Sequence, residues 1–399
     1  MVTRNLLYGR LLVALISISI PLCSADWPTF GHDPQRTGYA FEEETLSVQN
    51  VAQLELKWKA QVKNEPKSLT ALTAPVVAEG VSTLKGVKTL VYVAGSDNHL
   101  YALDAKDGSV VWSRDFENHV LAKDAGMWLC PNGVNATPTI DRQRNVIYAV
   151  SVDGRLWGLD LGTGEVRFEP VQFVSAFSKN WSLNFFDGMV YTAVSQDCAG
   201  AHSGIYSIDV RDNRRPIIRD LIVAKRGGAG IWGRGGPVIG KNGLIYAATG
   251  DGEFNPENGE YASSVIAASL GNLELADYYV PTDYRDVTKF DLDMGAAGPV
   301  WFSCKDFNLV AFDALLYPAA QQRRPGVRGK RHLGQRVLLE GREWRNLGLC
   351  PGLGSGFDQG SELPRYKRSQ PARKCDGVQG GDRHGDQATD PRTRVDFRR

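Results

Sequence analysis

The sequence predicts an all-β chain built from repeated four-stranded sheets, the arrangement of a β-propeller, and three observations carry that prediction. Residues 89–112 (TLVYVAGSDNHLYALDAKDGSVVW) read as strand, turn, strand, turn, strand, with β-branched and aromatic residues alternating along each run. The same order returns at residues 145–168 (NVIYAVSVDGRLWGLDLGTGEVRF), and in looser form from Gly188 and from Gly243. Asp104, Asp160 and Asp209 end the same strand of three successive copies, 56 and 49 residues apart. That is about the size of a four-stranded blade, and radial repetition of such sheets makes a propeller.

Each element of the unit has a physical reason. Asp107-Gly108 is the sharpest turn signal, because Gly reaches positive φ without a Cβ clash and Asp bonds its own backbone around the bend. Trp112 closes the unit with enough apolar area to staple one sheet to the next. Both clear copies follow a short apolar lead-in, at 73–80 and 136–141. Ahead of them, residues 54–62 (LELKWKAQV) alternate around Trp58 and read as a lone outer strand that would help to close a ring. Residues 117–135 form an insertion between the first two blades, the kind of connection on which sites are built.

LYALDAKDGSVVW and LWGLDLGTGEVRF resemble the repeat of quinoprotein-type propellers, and DWPTFGHDPQRTGYA (26–40) is similar to the mature N-terminus of that superfamily. The resemblance covers about residues 26–312. It implies a quinoprotein-type fold of eight blades in intact relatives, of which this chain encodes four and the start of a fifth, an incomplete ring. The superfamily holds pyrroloquinoline-quinone (PQQ) dehydrogenases, an assembly scaffold of the outer membrane and secreted members without assigned activity, so fold alone does not select a function.

The same resemblance names candidate site residues. In quinone-dependent members a Trp forms the floor under the planar cofactor and a T-G-N or T-G-D segment follows, bringing an oxygen ligand to calcium; Trp232 and Asp251 match that order, with Arg234 beside the Trp as a further cofactor contact. A catalytic Asp about 40 residues later takes the alcohol proton; Asp291 and Asp293 stand 40 and 42 residues after Asp251. The structural readings of the same residues are a blade-packing Trp, an Asp-Gly turn, and Asp side chains bonding backbone. Many such dehydrogenases carry adjacent cysteines near residues 127–137, where this chain has Cys130 alone.

Composition and charge set further bounds. Net charge is +1 over 399 residues, but residues 313–399 carry 18 Lys and Arg against 10 Asp and Glu, or +8, and residues 1–312 carry 28 against 35, or −7. An acidic body argues against nucleic acid as a partner. Residues 1–25 read as a signal peptide, with Arg4 and Arg10 before an apolar run too short to span a bilayer. The mature chain is then periplasmic or secreted with no transmembrane segment, and bulky Leu22 argues against lipidation at Cys23. Cys130, Cys198, Cys304, Cys350 and Cys375 match no zinc spacing. A Cys130–Cys198 bridge between neighbouring blades and free buried thiols both stay open. Asn135 and Asn180 head glycan-acceptor triplets, and the histidines lack metal-ligand spacing.

Beyond Phe312 the alternation stops and Arg, Gly, Pro, Gln and Asp take over, a composition that cannot bury enough apolar area to order itself. Residues 313–399 are therefore expected to be an irregular, disordered basic tail resembling out-of-frame coding sequence, with a basic interaction tail as the alternative; the Trp58 strand and the fifth blade would lack partners. Two functions fit the whole. One is an exported binding or scaffold propeller for an unknown protein or small molecule; the other is a calcium- and PQQ-dependent alcohol or sugar dehydrogenase, in which the cofactor does the redox chemistry.

Overall fold

A computed structural model of the chain describes residues 26–40, 43–64, 72–95, 97–118, 120, 130, 133–195, 198–212, 214–292, 294–295, 298–304, 307–312, 337–338 and 394–398. For 300–304, 307–312, 337–338 and 394–398 it describes the backbone alone. Residues 1–25, expected from the sequence to be a signal peptide, and most of 313–399 lie outside these residues.

Four sheets follow one another in the chain, after a strand β1 (Leu56–Gln61). Blade one is β2 (Val76–Thr83), β3 (Gly86–Ala94), β4 (His99–Asp104) and β5 (Val110–Asp115), paired in that order. Blade two is β6 (Thr139–Asp141), β7 (Val146–Val150), β8 (Arg155–Asp160) and β9 (Val166–Gln172). In blade three the first strand is broken into β10 (Lys179–Asn180) and β11 (Asn184–Phe186), both against β12 (Met189–Ser195), with β13 (Gly204–Asp209) and β14 (Ile217–Ile222) outside. Blade four is β15 (Val238–Ile239), β16 (Leu244–Ala248), β19 (Val265–Ser269) and β20 (Leu275–Tyr279), with a hairpin β17 (Phe254–Asn255) and β18 (Glu260–Tyr261) inserted between its second and third strands. A short helix α1 (Tyr284–Lys289) leads to β21 (Val300–Cys304), β22 (Phe307–Phe312) and β23 (Val337–Leu338), the fifth sheet. All paired strands run antiparallel, as meanders joined by tight turns must.

The repeat explains the packing. A tyrosine recurs in the second full strand of each of the four blades, Tyr92, Tyr148, Tyr191 and Tyr246, and all four are buried. Two of them reach the next blade: the Tyr92 hydroxyl donates to Leu161 O at 3.0 Å, and Gly271 N donates to the Tyr191 hydroxyl at 3.3 Å. The Trp at the end of a unit does the stapling expected of it. Trp112 Nε1 donates to Leu161 O at 2.8 Å, and its ring lies against Gly164, where a Cβ would come within 2.7 Å of Cε3. Trp58 repeats this on blade one, donating to Ala105 O at 2.9 Å with its ring on Gly108. Gly164 (φ 71°) and Gly108 (φ 75°) are thus required twice, for the turn and for the ring.

The open question of the cysteines resolves to a bridge: Cys130, before blade two, is bonded to Cys198, after β12 of blade three. One expectation is corrected. The Trp58 strand is not left without a partner, because β1 pairs antiparallel with β24 (Arg394–Arg398), with Trp58 opposite Phe397. The fifth sheet likewise gains β23 beside β22. Backbone N–H and C=O groups on an open edge take up whatever strand reaches them, a long-range event that local composition does not report. The N-terminal segment, residues 26–40, runs along the first strands of blades one to four, beginning with an antiparallel bridge between Trp27 and Val77.

Candidate functional site

The break in the first strand of blade three creates the site. Lys179 sits on β10 opposite Ser195 of β12. The chain then bulges through 181–183 before pairing resumes in β11. Trp181 is fixed in that bulge: its N–H donates to Ala193 O at 2.9 Å, its carbonyl accepts from Thr192 Oγ1 at 2.7 Å, and its Nε1 donates to Ser195 Oγ at 3.0 Å. Opposite stands Trp232, in the connection from blade three to blade four. Its indole lies on glycine backbone: a Cβ at Gly250 would come within 2.6 Å of Cδ1, and one at Gly230 within 2.9 Å of Cε2. No larger residue fits at either position without moving the ring.

Lys179 joins the two tryptophans. Its Nζ is 5.4 Å from the Trp181 ring centroid and 5.9 Å from that of Trp232, both within cation–π range. The side chain is buried, and burial, with the Arg234 charge adding to it, holds the ammonium down to about 8. Arg234 itself is exposed. Its carbonyl accepts from Ser182 Oγ at 2.5 Å and Ser182 N at 3.3 Å, tying the Trp232 loop to the Trp181 bulge.

The acidic candidates are arranged differently. Asp251 is half-buried in the turn after β16, and its carbonyl accepts from Ala229 N at 2.6 Å. Asp291 is exposed just past α1, in the left-handed region at φ 50°, with its N–H donating to Thr288 O. Asp293 lies outside the described residues. Among the described residues no group of three or more His, Cys, Asp or Glu side chains could hold a metal. The glycan triplets are tied into the fold: Asn180 is buried, and Asn135 Nδ2 donates to its carbonyl at 2.5 Å.

The structure therefore brings together Trp232 and Arg234, which the sequence reading singled out, with Lys179 and Trp181, which it passed over. The signal for Lys179 was faint. A lone Lys in FSKNWS carries no periodicity, and only its place opposite Ser195 gives it a role.

Residues 27–180 match the family described as PQQ, glucose/ethanol/alcohol dehydrogenase, beta-propeller domain. With the repeated blades, this match supports placing the chain in the quinoprotein, PQQ-repeat β-propeller superfamily. This PQQ-repeat propeller is 28% identical over 163 residues to a quinohemoprotein alcohol dehydrogenase of Comamonas testosteroni, covering 41% of the chain and 19% of that protein. It is 26% identical over 144 residues to a 1-butanol dehydrogenase (cytochrome c) of Thauera butanivorans, covering 36% and 18%. The chain thus spans about a fifth of the length of these curated relatives. Among solved structures, the Comamonas testosteroni enzyme superposes with a TM-score of 0.51 at 17% identity, over 72% of this chain and 46% of that one, a likeness of fold. No helix among the described residues is long and apolar enough to cross a membrane.

Proposed function

We propose that this PQQ-repeat propeller is an exported binding module that takes a planar, anionic ligand of the quinone type on Trp232, with Lys179 and Arg234 supplying positive charge. The observation that carries the reading is Lys179, a buried ammonium set between two indoles at 5.4 and 5.9 Å. An aromatic floor with cations around it fits a flat ring bearing negative charge. Export rests on the 1–25 leader and is supported by the Cys130–Cys198 bridge, which persists in oxidising compartments.

The described residues fit PQQ better than they fit calcium. Trp232, Lys179 and Arg234 would hold the quinone, which when bound supplies the capacity to accept a hydride. Calcium takes six to eight oxygen ligands, whereas Asp251 and Asp291 belong to no metal-holding group among the described residues. The dehydrogenase reading is favoured by the match to an alcohol dehydrogenase propeller domain; it needs Asp251 and Asp291 or Asp293 to act together.

Quenching of tryptophan fluorescence by added PQQ tests the proposal. Trp232→Ala and Lys179→Ala should each abolish saturable quenching, and Asp251→Ala should leave it intact. Wild-type titration that survives both first substitutions would remove the site.

A further inference from the structure

We propose that the N-terminal segment, residues 26–40, is a strap that positions this site, and that Arg36 is the positioning residue through which it acts; the proposal rests on the reading of Lys179, Trp181 and Trp232 as one site.

The strap crosses the blades in chain order. Trp27 exchanges two hydrogen bonds with Val77 of blade one, each 2.9 Å. The carbonyl of Pro28 accepts from Ile140 N of blade two at 2.9 Å, and Thr29 Oγ1 donates to Leu183 O of blade three at 2.8 Å. Pro34 O accepts from Ile239 N of blade four at 2.9 Å, and Gln35 Nε2 donates to Ile239 O at 2.9 Å. These acceptors and donors lie on or beside the first strand of each sheet, where a propeller blade has a free edge. Asp26 fastens the start of the strap, bonded to Glu79 N at 2.8 Å and to Arg142 Nε at 2.8 Å.

Arg36 is the charged member of the strap at blade three, where Thr29 also bonds Leu183 O. It is buried, and although burial holds it down to about 9, its guanidinium stays charged at neutral pH. Nη1 donates to Thr29 Oγ1 at 2.6 Å and Phe30 O at 2.7 Å, folding the strap on itself. Nη2 donates to Leu183 O at 2.9 Å and Ser182 O at 3.4 Å. Those two carbonyls end the bulge that holds Trp181, and Ser182 is the residue bonded to the Arg234 backbone of the Trp232 loop. One fork of charge thus pins the junction of the two tryptophan-bearing segments. Its own backbone is held at φ 59°, a left-handed conformation that a non-glycine residue keeps only where its surroundings enforce it. Phe30 reaches the same junction, against Gly235, where a Cβ would come within 3.3 Å of its ring.

The test reads Lys179 directly and needs no ligand. Acetylation of Lys179 by a small anhydride is followed by mass spectrometry at neutral pH in wild type, Arg36→Ala, Arg36→Lys and Gln35→Ala, each checked for its melting temperature. Gln35→Ala removes a strap bond to blade four alone and serves as the comparison for general loosening. Arg36→Ala should raise the Lys179 rate about tenfold, the factor equivalent to losing about 1.4 kcal/mol of hydrogen bonding. Arg36→Lys, which keeps the charge and loses the fork, should fall between, and Gln35→Ala should match wild type. If Arg36→Ala does not fold, the contrast between Arg36→Lys and Gln35→Ala decides. A lowered melting temperature with the Lys179 rate unchanged, or equal rates in the Arg36 and Gln35 variants, would overturn the proposal. Failure of PQQ to bind wild type would instead remove the ligand reading and leave the labelling result standing.

Discussion

Replacing Cys130 and Cys198 together by Ala should destabilise the propeller strongly. The bridge closes a loop of 68 residues between the approach to blade two and the end of β12 in blade three. Chain-entropy arithmetic, with a constant of about 2.1 cal/mol/K and a term of 1.5R times the logarithm of loop length, gives about 4 kcal/mol at 25 °C. Both side chains are buried, so Ala also leaves small voids at each sulfur position. Urea unfolding followed by far-UV circular dichroism measures the effect, and at a slope of about 2–3 kcal/mol/M the midpoint should fall by about 1–2 M. The slope itself should rise, because an uncrosslinked denatured chain exposes more surface. An unchanged midpoint would refute the reasoning and with it the claim that the bridge links two blades.

Trp112→Ala should cost about 3–5 kcal/mol, since it removes both a ring packed on the neighbouring blade and the donor to Leu161 O. Gly164→Ala breaks the same contact from the other side, so a double-mutant cycle in urea should show the two costs combining to less than their sum. For Lys179, a folded value of about 8 lies below the 10.5 of the free side chain. The unfolded chain then holds a proton that the folded chain lacks between those pH values, so stability should rise from pH 8 to 10.5, by roughly 3 kcal/mol. Below pH 8 the burial cost is fully present. Lys179→Met should be more stable than wild type at pH 7 and should lose this rise; melting curves across pH 7–10.5 check it, and a parallel pH profile in the variant would count against the buried charge.

What the sequence made legible was the periodic part. Alternation, Asp-Gly turns and the Asp recurring at 104, 160 and 209 are local signals, each repeated, and each maps onto a strand or turn of a blade. Trp112 could be read as a staple because its place at the end of the unit fixes what it meets. Trp232 and Arg234 came from resemblance, and the structure sets both near Lys179. Lys179, Trp181 and Arg36 stayed silent for a common reason: their partners are set by tertiary geometry. Arg36 contacts residues 146 and 147 positions away, and Lys179 gains its meaning from a strand break that leaves no mark in composition. The partner of the Trp58 strand, more than 300 residues distant, was beyond any local rule.

The most direct measurement of the central claim is the affinity of the chain for PQQ with calcium present and with calcium chelated, run alongside dye reduction with a panel of alcohols. A binding module that uses Trp232, Lys179 and Arg234 predicts the same saturable quenching in both conditions and no dye reduction in either. Quenching that requires calcium, together with alcohol-dependent dye reduction lost in Asp291→Asn, would contradict the account.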